Sequence, residues 1–142
     1  MSTQADSLPA IEVLMILSAQ IKLVTAVNGL PAGERMIFDV TSGSFAGPRL
    51  AGQVLATGGD WVTRTSTSSQ INVRLALATN DGVTILLQYS GRASQDNGQV
   101  RIEVAGTFEA PAGSYAWLNN VQAFGRGVVT AEETRYHFYR FK

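Results

Sequence analysis

Between Gln70 and Thr79 the chain alternates strictly: Ile71, Val73, Leu75 and Leu77 fall on one side, Asn72, Arg74, Ala76 and Ala78 on the other. Side chains of a β-strand point to opposite faces in turn, so this pattern predicts a half-buried strand with two chemically different sides. The stretch 99–109 repeats it, with Val100, Ile102, Val104 and Phe108 opposed to Gln99, Arg101, Glu103 and Glu109. Residues 11–27 are more evenly apolar, and periodicity alone does not separate strand from helix there. The β-branched set Ile11, Val13, Ile16, Ile21, Val24, Thr25 and Val27 favours two strands or one bent strand.

Further strands are predicted near 34–41, 49–56, 61–65, 70–79, 83–91, 99–109, 115–124 and 127–141. Turn residues punctuate them: Asn28-Gly29 to Gly33, Ser42-Gly43, Gly47-Pro48, Gly58-Gly59, Asn80-Asp81-Gly82, Asp96-Asn97-Gly98 and Gly125-Arg126-Gly127. Asn80-Asp81-Gly82 predicts an antiparallel hairpin joining 70–79 to 83–91, because Asp-Gly readily takes the positive φ angles of a tight turn. No long amphipathic helix interrupts the series. The expected fold is all-β: a loose tail over 1–9, then one domain over 10–142 forming a single antiparallel barrel of about eight strands. Closure removes exposed edges, and about eight strands leave room inside for side chains or one small ligand. A sandwich is the structural alternative.

Charge and composition narrow the function classes. Eleven basic residues balance eleven acidic ones and no basic run occurs, so the electrostatic basis for nucleic-acid binding is missing. With no cysteine and one histidine, His137, zinc–cysteine sites, disulfides and multi-histidine metal centres are excluded, and neither metal nor organic cofactor is expected. The uncharged stretch from Val13 to Ile21 is about half the length of a membrane-spanning helix. Residues 1–10 lack the Lys or Arg of a secretory signal. A soluble cytoplasmic protein with a small-molecule partner is expected, with assembly into a homo-oligomer left open.

Several motifs recur in a recognisable order: Gly33-Glu34-Arg35, Ser44-Phe45-Ala46-Gly47-Pro48-Arg49-Leu50-Ala51-Gly52 and Gly58-Gly59-Asp60-Trp61. Val73-Arg74, Thr79-Asn80-Asp81-Gly82, Tyr115-Ala116-Trp117-Leu118-Asn119 and Arg135-Tyr136-His137-Phe138-Tyr139 complete the set. In this order the chain resembles the domain of unknown function 3237 family over nearly its whole length. The resemblance implies an eight-stranded antiparallel barrel of the calycin or allene-oxide-cyclase-like kind, and no secure activity. Two positions depart from the pattern: Thr65-Ser66-Thr67 stand where Asp-Gly is expected, and Asn72 where an acidic residue is expected two positions before the arginine.

Polar residues set in apolar strands are the ones to weigh for chemistry, since a buried polar group needs a partner. Arg74 shares a face with Asn72 and two alanines. It either enters a lumen kept open by small neighbours, where it would bind a carboxylate or enolate oxygen, or lies on the outer wall. Asp60, beside Trp61 at a predicted strand start, is a general acid or base if desolvated, or a turn cap with Trp61 as core. Glu109 is a second candidate base, or a solvated strand end. Tyr115, Trp117 and Asn119, on one side of a predicted strand, form a ligand wall or part of the core. His137 is the one side chain with an unperturbed pKa near neutrality, and shares a face with Arg135 and Tyr139, the latter a further ligand contact.

Two functions follow from different classes. One is a cofactor-independent enzyme moving a proton on a small apolar carbonyl or carboxylate compound in the lumen, as an isomerase, cyclase or lyase. The other is a non-catalytic carrier or sensor using the same pocket. The deciding feature is a titratable side chain facing the pocket beside an oxyanion donor.

Overall fold

The computed structural model describes residues 7–142; residues 1–6 of the expected tail lie outside the described part. The strands are β1 (Ile11–Leu30), β2 (Gly33–Ala46), β3 (Ala51–Arg64), β4 (Ser69–Thr79), β5 (Thr84–Asp96), β6 (Gln99–Glu109), β7 (Ala123–Val129) and β8 (Thr134–Phe141). Each pairs antiparallel with the next, and β8 returns to β1, closing the barrel. The hairpin β4–β5 forms where Asn80-Asp81-Gly82 predicts it, with Gly82 at φ 89°. A second tight turn uses Asn97 and Gly98, both at positive φ.

The eight-stranded closed barrel agrees with the expected fold, but the nine or ten strand segments read from the sequence do not map onto it one to one. Residues 49–56 and 61–65 belong to one strand, β3, because Gly58-Gly59 is a bulge and not a turn. Pairing jumps from Val54↔Leu77 to Gly58↔Leu75, so Leu55, Ala56 and Thr57 stand opposite Ala76 alone and β3 carries two extra residues just before the glycines. Gly58 sits at φ 85°, and a Cβ there would collide with the carbonyl oxygen of Arg74. The expected strand 127–141 is the hairpin β7–β8, and 11–30 is one bent strand. Residues 115–124 are not a strand: Ala116–Asn120 is a 3-10 helix.

The interior is packed. On β4 the inner face is Ile71, Val73, Leu75 and Leu77, all buried, and it meets Ile85, Leu87, Tyr89, Val104 and Phe138 from other strands. Tyr89 stands edge-on to Tyr136 and Phe138 at 5.0 and 5.2 Å between ring centres, an arrangement suited to the charge distribution of aromatic rings. Leu118 of the 3-10 helix is fully buried, and with Val121 it seals one end. The lumen is therefore a core and not an open chamber.

Candidate functional site

A bulge bends the strand that carries it. Beside the β3 bulge the outer face of β2 to β5 is concave, forming a groove of about 790 Å³. That volume falls within the range of small-molecule sites. Strand register sorts the lining into three rows. Asp39, Gly59 and Arg74 are in line. Next come Ile37, Trp61, Asn72 and Ser90, and then Arg35, Thr63, Gln70 and Arg92. Gly59 contributes no side chain, so a gap separates the carboxylate of Asp39 from the guanidinium of Arg74. Trp61 is 52 % exposed and offers its ring to the groove. The Arg35 guanidinium carbon lies 5.9 Å from the Trp61 ring centre, close enough for a cation–π contact. Its Nε is shut off from solvent and has no hydrogen-bond partner among the described residues.

Arg74 thus faces outward, and its expected place in the lumen is corrected. Small Ala76 and Ala78 suggested a lumen, but burying four large aliphatic side chains outweighs that cue by several kcal/mol. Trp61, Asn72 and Arg74 are nonetheless brought together in the groove. Glu109 is exposed and lines a neighbouring hollow of about 260 Å³, which shares Gly58 and Arg74 with the groove. Arg74 is the divide between the two depressions.

The other expected site residues lie elsewhere. Tyr115 donates a hydrogen bond to Asp81 Oδ1 at 2.7 Å, and Thr79 Oγ1 donates to the same oxygen at 2.6 Å. These bonds hold the Asp81 carboxyl below its ordinary range, and the carboxylate in turn raises the Tyr115 pKa. Asn119 accepts from the Ala110 N–H at 2.7 Å and donates to the Ala110 carbonyl at 2.8 Å. Trp117 lies under Arg49, whose guanidinium carbon is 3.7 Å from the ring centre. All three therefore fasten the plug at the sealed end instead of forming the wall of a strand. His137 is exposed on the outer face of β8, paired with Arg126 and Ile16 across the sheet. Tyr139 stacks on Phe124 at 6.0 Å, on the same outer wall and away from the groove.

Asp60 points inward, next to a cavity of about 20 Å³ that Tyr89, Tyr136 and Thr134 also line. That is room for about one water molecule and for no organic substrate. The carboxyl pKa rises from 3.8 to about 6 because burial penalises the charged form, with the Asn72 backbone N–H partly opposing the shift. Its Oδ1 has no hydrogen-bond partner. Burial raises the pKa of both the Tyr89 and the Tyr136 phenol. Arg35, Asp39 and Arg92 were not singled out from the sequence. Their only local signal is an outward position in a strand, and the register that unites them is not visible in a linear pattern.

Among the described residues no three His, Asp or Glu side chains converge as a metal centre requires. No helix of the described residues is long and apolar enough to cross a membrane.

A closed eight-stranded antiparallel barrel with a solid core and a cationic, aromatic groove on its outer wall defines the class of protein. Residues 9–141 match the family described as "Protein of unknown function (DUF3237)", and the chain belongs to that family. No curated protein matches the chain in sequence. Among solved structures it is similar to a protein of unknown function from Clostridium acetobutylicum ATCC 824, with 20 % identity and a TM-score of 0.86. That match covers 94 % of this chain and 99 % of the other. A β-barrel-like protein from Acinetobacter baumannii AYE shares 25 % identity at a TM-score of 0.82, covering 96 % and 99 %. An enzyme from Penicillium herquei shares 24 % identity at a TM-score of 0.77, covering 94 % and 95 %.

Proposed function

We propose that this barrel is a cofactor-independent proton-transfer enzyme of the isomerase, cyclase or lyase type. Its substrate is a small carbonyl or carboxylate compound, held in the outer groove and not in the lumen. One observation carries the reading: Asp39 and Arg74 both line a groove of small-molecule size, in one row on either side of Gly59, which has no side chain. A titratable group beside an oxyanion donor is the arrangement proton abstraction next to a carbonyl requires. In this reading Asp39 takes the proton from carbon, Arg74 and the Asn72 amide stabilise the developing enolate oxygen, and Trp61 supports the apolar part. The similarity to the Penicillium herquei enzyme is compatible with catalysis on this fold.

The experiment is cofactor-free incubation in deuterium oxide with a panel of enolisable carbonyl and carboxylate compounds, read by NMR for deuterium on carbon. Exchange that is lost in Asp39→Asn and falls about 10²–10³-fold in Arg74→Met supports the reading. Exchange that survives Asp39→Asn moves the base elsewhere, with Glu109 in the adjoining hollow the next to test. The exposure of Trp61 favours a second reading, a carrier, since proton transfer gains from a dry site. Binding without exchange across the panel would select the carrier.

A further inference from the structure

The positive charge of the groove is arranged in two separated places. Most arginines outside the groove have partners: Arg64 pairs with Glu34, Arg135 with Glu133, Arg140 with Glu12, and Arg49 lies on Trp117, whereas Arg126 on the far wall has no salt-bridge partner among the described residues. Arg35, Arg74 and Arg92 all line the groove, and none has a carboxylate within salt-bridge distance among the described residues. The one acidic lining residue is Asp39, at the Arg74 end. Arg35 and Arg92 stand in the far row, which the register sets four residues along the strands from the row of Arg74. At about 3.3 Å per residue the backbones of the two rows are about 13 Å apart, with the row of Trp61 between them, and side chains standing straight out from the sheet carry that spacing to their charges.

Two further features indicate that the far end is built to take an anion. The Arg35 guanidinium lines the groove and its Nε has no acceptor among the described residues, so its charge is uncompensated by any protein partner. The guanidinium also lies by the Trp61 ring, which holds it in the groove, near any flat molecule stacked there.

We propose that the groove takes a flat, unsaturated dianion, one anionic group at Arg74 and the second at Arg35 and Arg92. Allowing about 2.8 Å for a charge-assisted contact at each end, the two anionic groups lie roughly 7–8 Å apart. This inference rests on the groove being the ligand site, as in the reading above, but not on any turnover there.

The test is calorimetric titration with naphthalene-2,6-dicarboxylate, whose carboxylates span that interval, against the monoanion 2-naphthoate. The dianion is expected to bind at least about tenfold tighter to the unmodified protein, the worth of one further charge-assisted contact. Arg92→Met should bring the two affinities to within about threefold of each other, because only one cationic end then remains at full strength. Arg92 is exposed on β5, and the thermal midpoint of the variant verifies that the fold is intact. Trp61→Phe should weaken both ligands. Equal affinities in the unmodified protein, no binding of either compound, or a preference that survives Arg92→Met would each overturn the proposal. A dianion preference without deuterium exchange would sink the enzyme reading alone. Exchange on monoanions with no dianion preference would sink this one alone.

Discussion

The two faces of β3 and β4 make opposite use of one stretch of chain. Inward, Asp60, Val62, Ile71, Val73, Leu75 and Leu77 join a core whose local cavity is about 20 Å³. Outward, Trp61, Asn72 and Arg74 alternate with them residue by residue and line a groove of about 790 Å³. Small barrels are commonly imagined as containers, yet this one is filled, and its usable concavity lies on the outside. The difference comes from β3. Without a bulge the outer wall of a barrel is convex and offers no pocket, whereas the bulge at Leu55 to Thr57 bends it. The core supplies rigidity, and the outer face, relieved of any packing duty, is free to hold uncompensated charge.

If the inner face is a solid core, the largest effect will come from hollowing it. Leu77 is fully buried, so Leu77→Ala should cost about 3–5 kcal/mol of unfolding free energy through lost burial and the cavity left behind. Denaturant titration measures it. A loss below about 1 kcal/mol would mean that the interior collapses easily, contrary to a packed lumen. Ligand affinity in the groove of the folded variant should stay within about threefold, because Leu77 faces away from it.

Asp60 sharpens the same contrast from the inside, because it is the one carboxyl that the inner face holds away from water. Its folded pKa, about 6, exceeds the ordinary 3.8, so the folded state binds the proton more tightly than the unfolded chain. That contribution to stability is fully present below about pH 4 and is lost as pH rises through about 6, after which the buried charge costs about 3 kcal/mol. Asp60→Asn cannot ionise. It should therefore be more stable than the parent by about 1–3 kcal/mol near neutral pH and nearly equal to it near pH 4. Parallel stability–pH curves for the two proteins would show that Asp60 is better solvated than its position implies. If Asp60 were instead a working acid or base, Asp60→Asn would abolish turnover, and the groove would not be the reaction site.

Much of this contrast was legible in the residues. The alternation from Ile71 to Leu77 announces a two-faced strand, and Asn80-Asp81-Gly82 announces the hairpin that follows. Which face is inside stays open at Arg74 on sequence alone, because Ala76 and Ala78 fit an open lumen while the aliphatic face fits a packed one, and the structure takes the second. The segment 115–124 reads as a strand because Tyr115 and Trp117, two positions apart, mimic strand alternation, yet Ala116–Asn120 is a 3-10 helix. Its actual conformation depends on contacts distant in sequence, with Asp81, Ala110 and Arg49 holding Tyr115, Asn119 and Trp117. Gly58-Gly59 reads locally as a turn, and only pairing with β4 reveals a bulge. Arg35, Asp39 and Arg92 come from β2 and β5, so nothing short of the register could unite them with Arg74.

The smallest effect on stability should come from Arg74 itself, and it is the most direct probe of the outer face. Its side chain is exposed and has no salt-bridge partner among the described residues, so Arg74→Met should shift unfolding free energy by no more than about 0.5 kcal/mol. Binding and turnover should respond far more strongly than stability does. The methionine keeps an apolar stem but removes the charge and every donor, whereas Arg74→Lys keeps the charge and loses the planar fork that grips a carboxylate with two parallel bonds. If the fork is what matters, lysine should recover only a small part of the affinity lost in methionine. Nearly full recovery would mean that Arg74 supplies only a positive field, and the gap at Gly59 would then be wide enough for the ligand oxygen to remain hydrated. Destabilisation by more than about 1 kcal/mol in both variants would point to an unseen packing role for the arginine stem, and the clean division between a core face and a working face of β4 would fail.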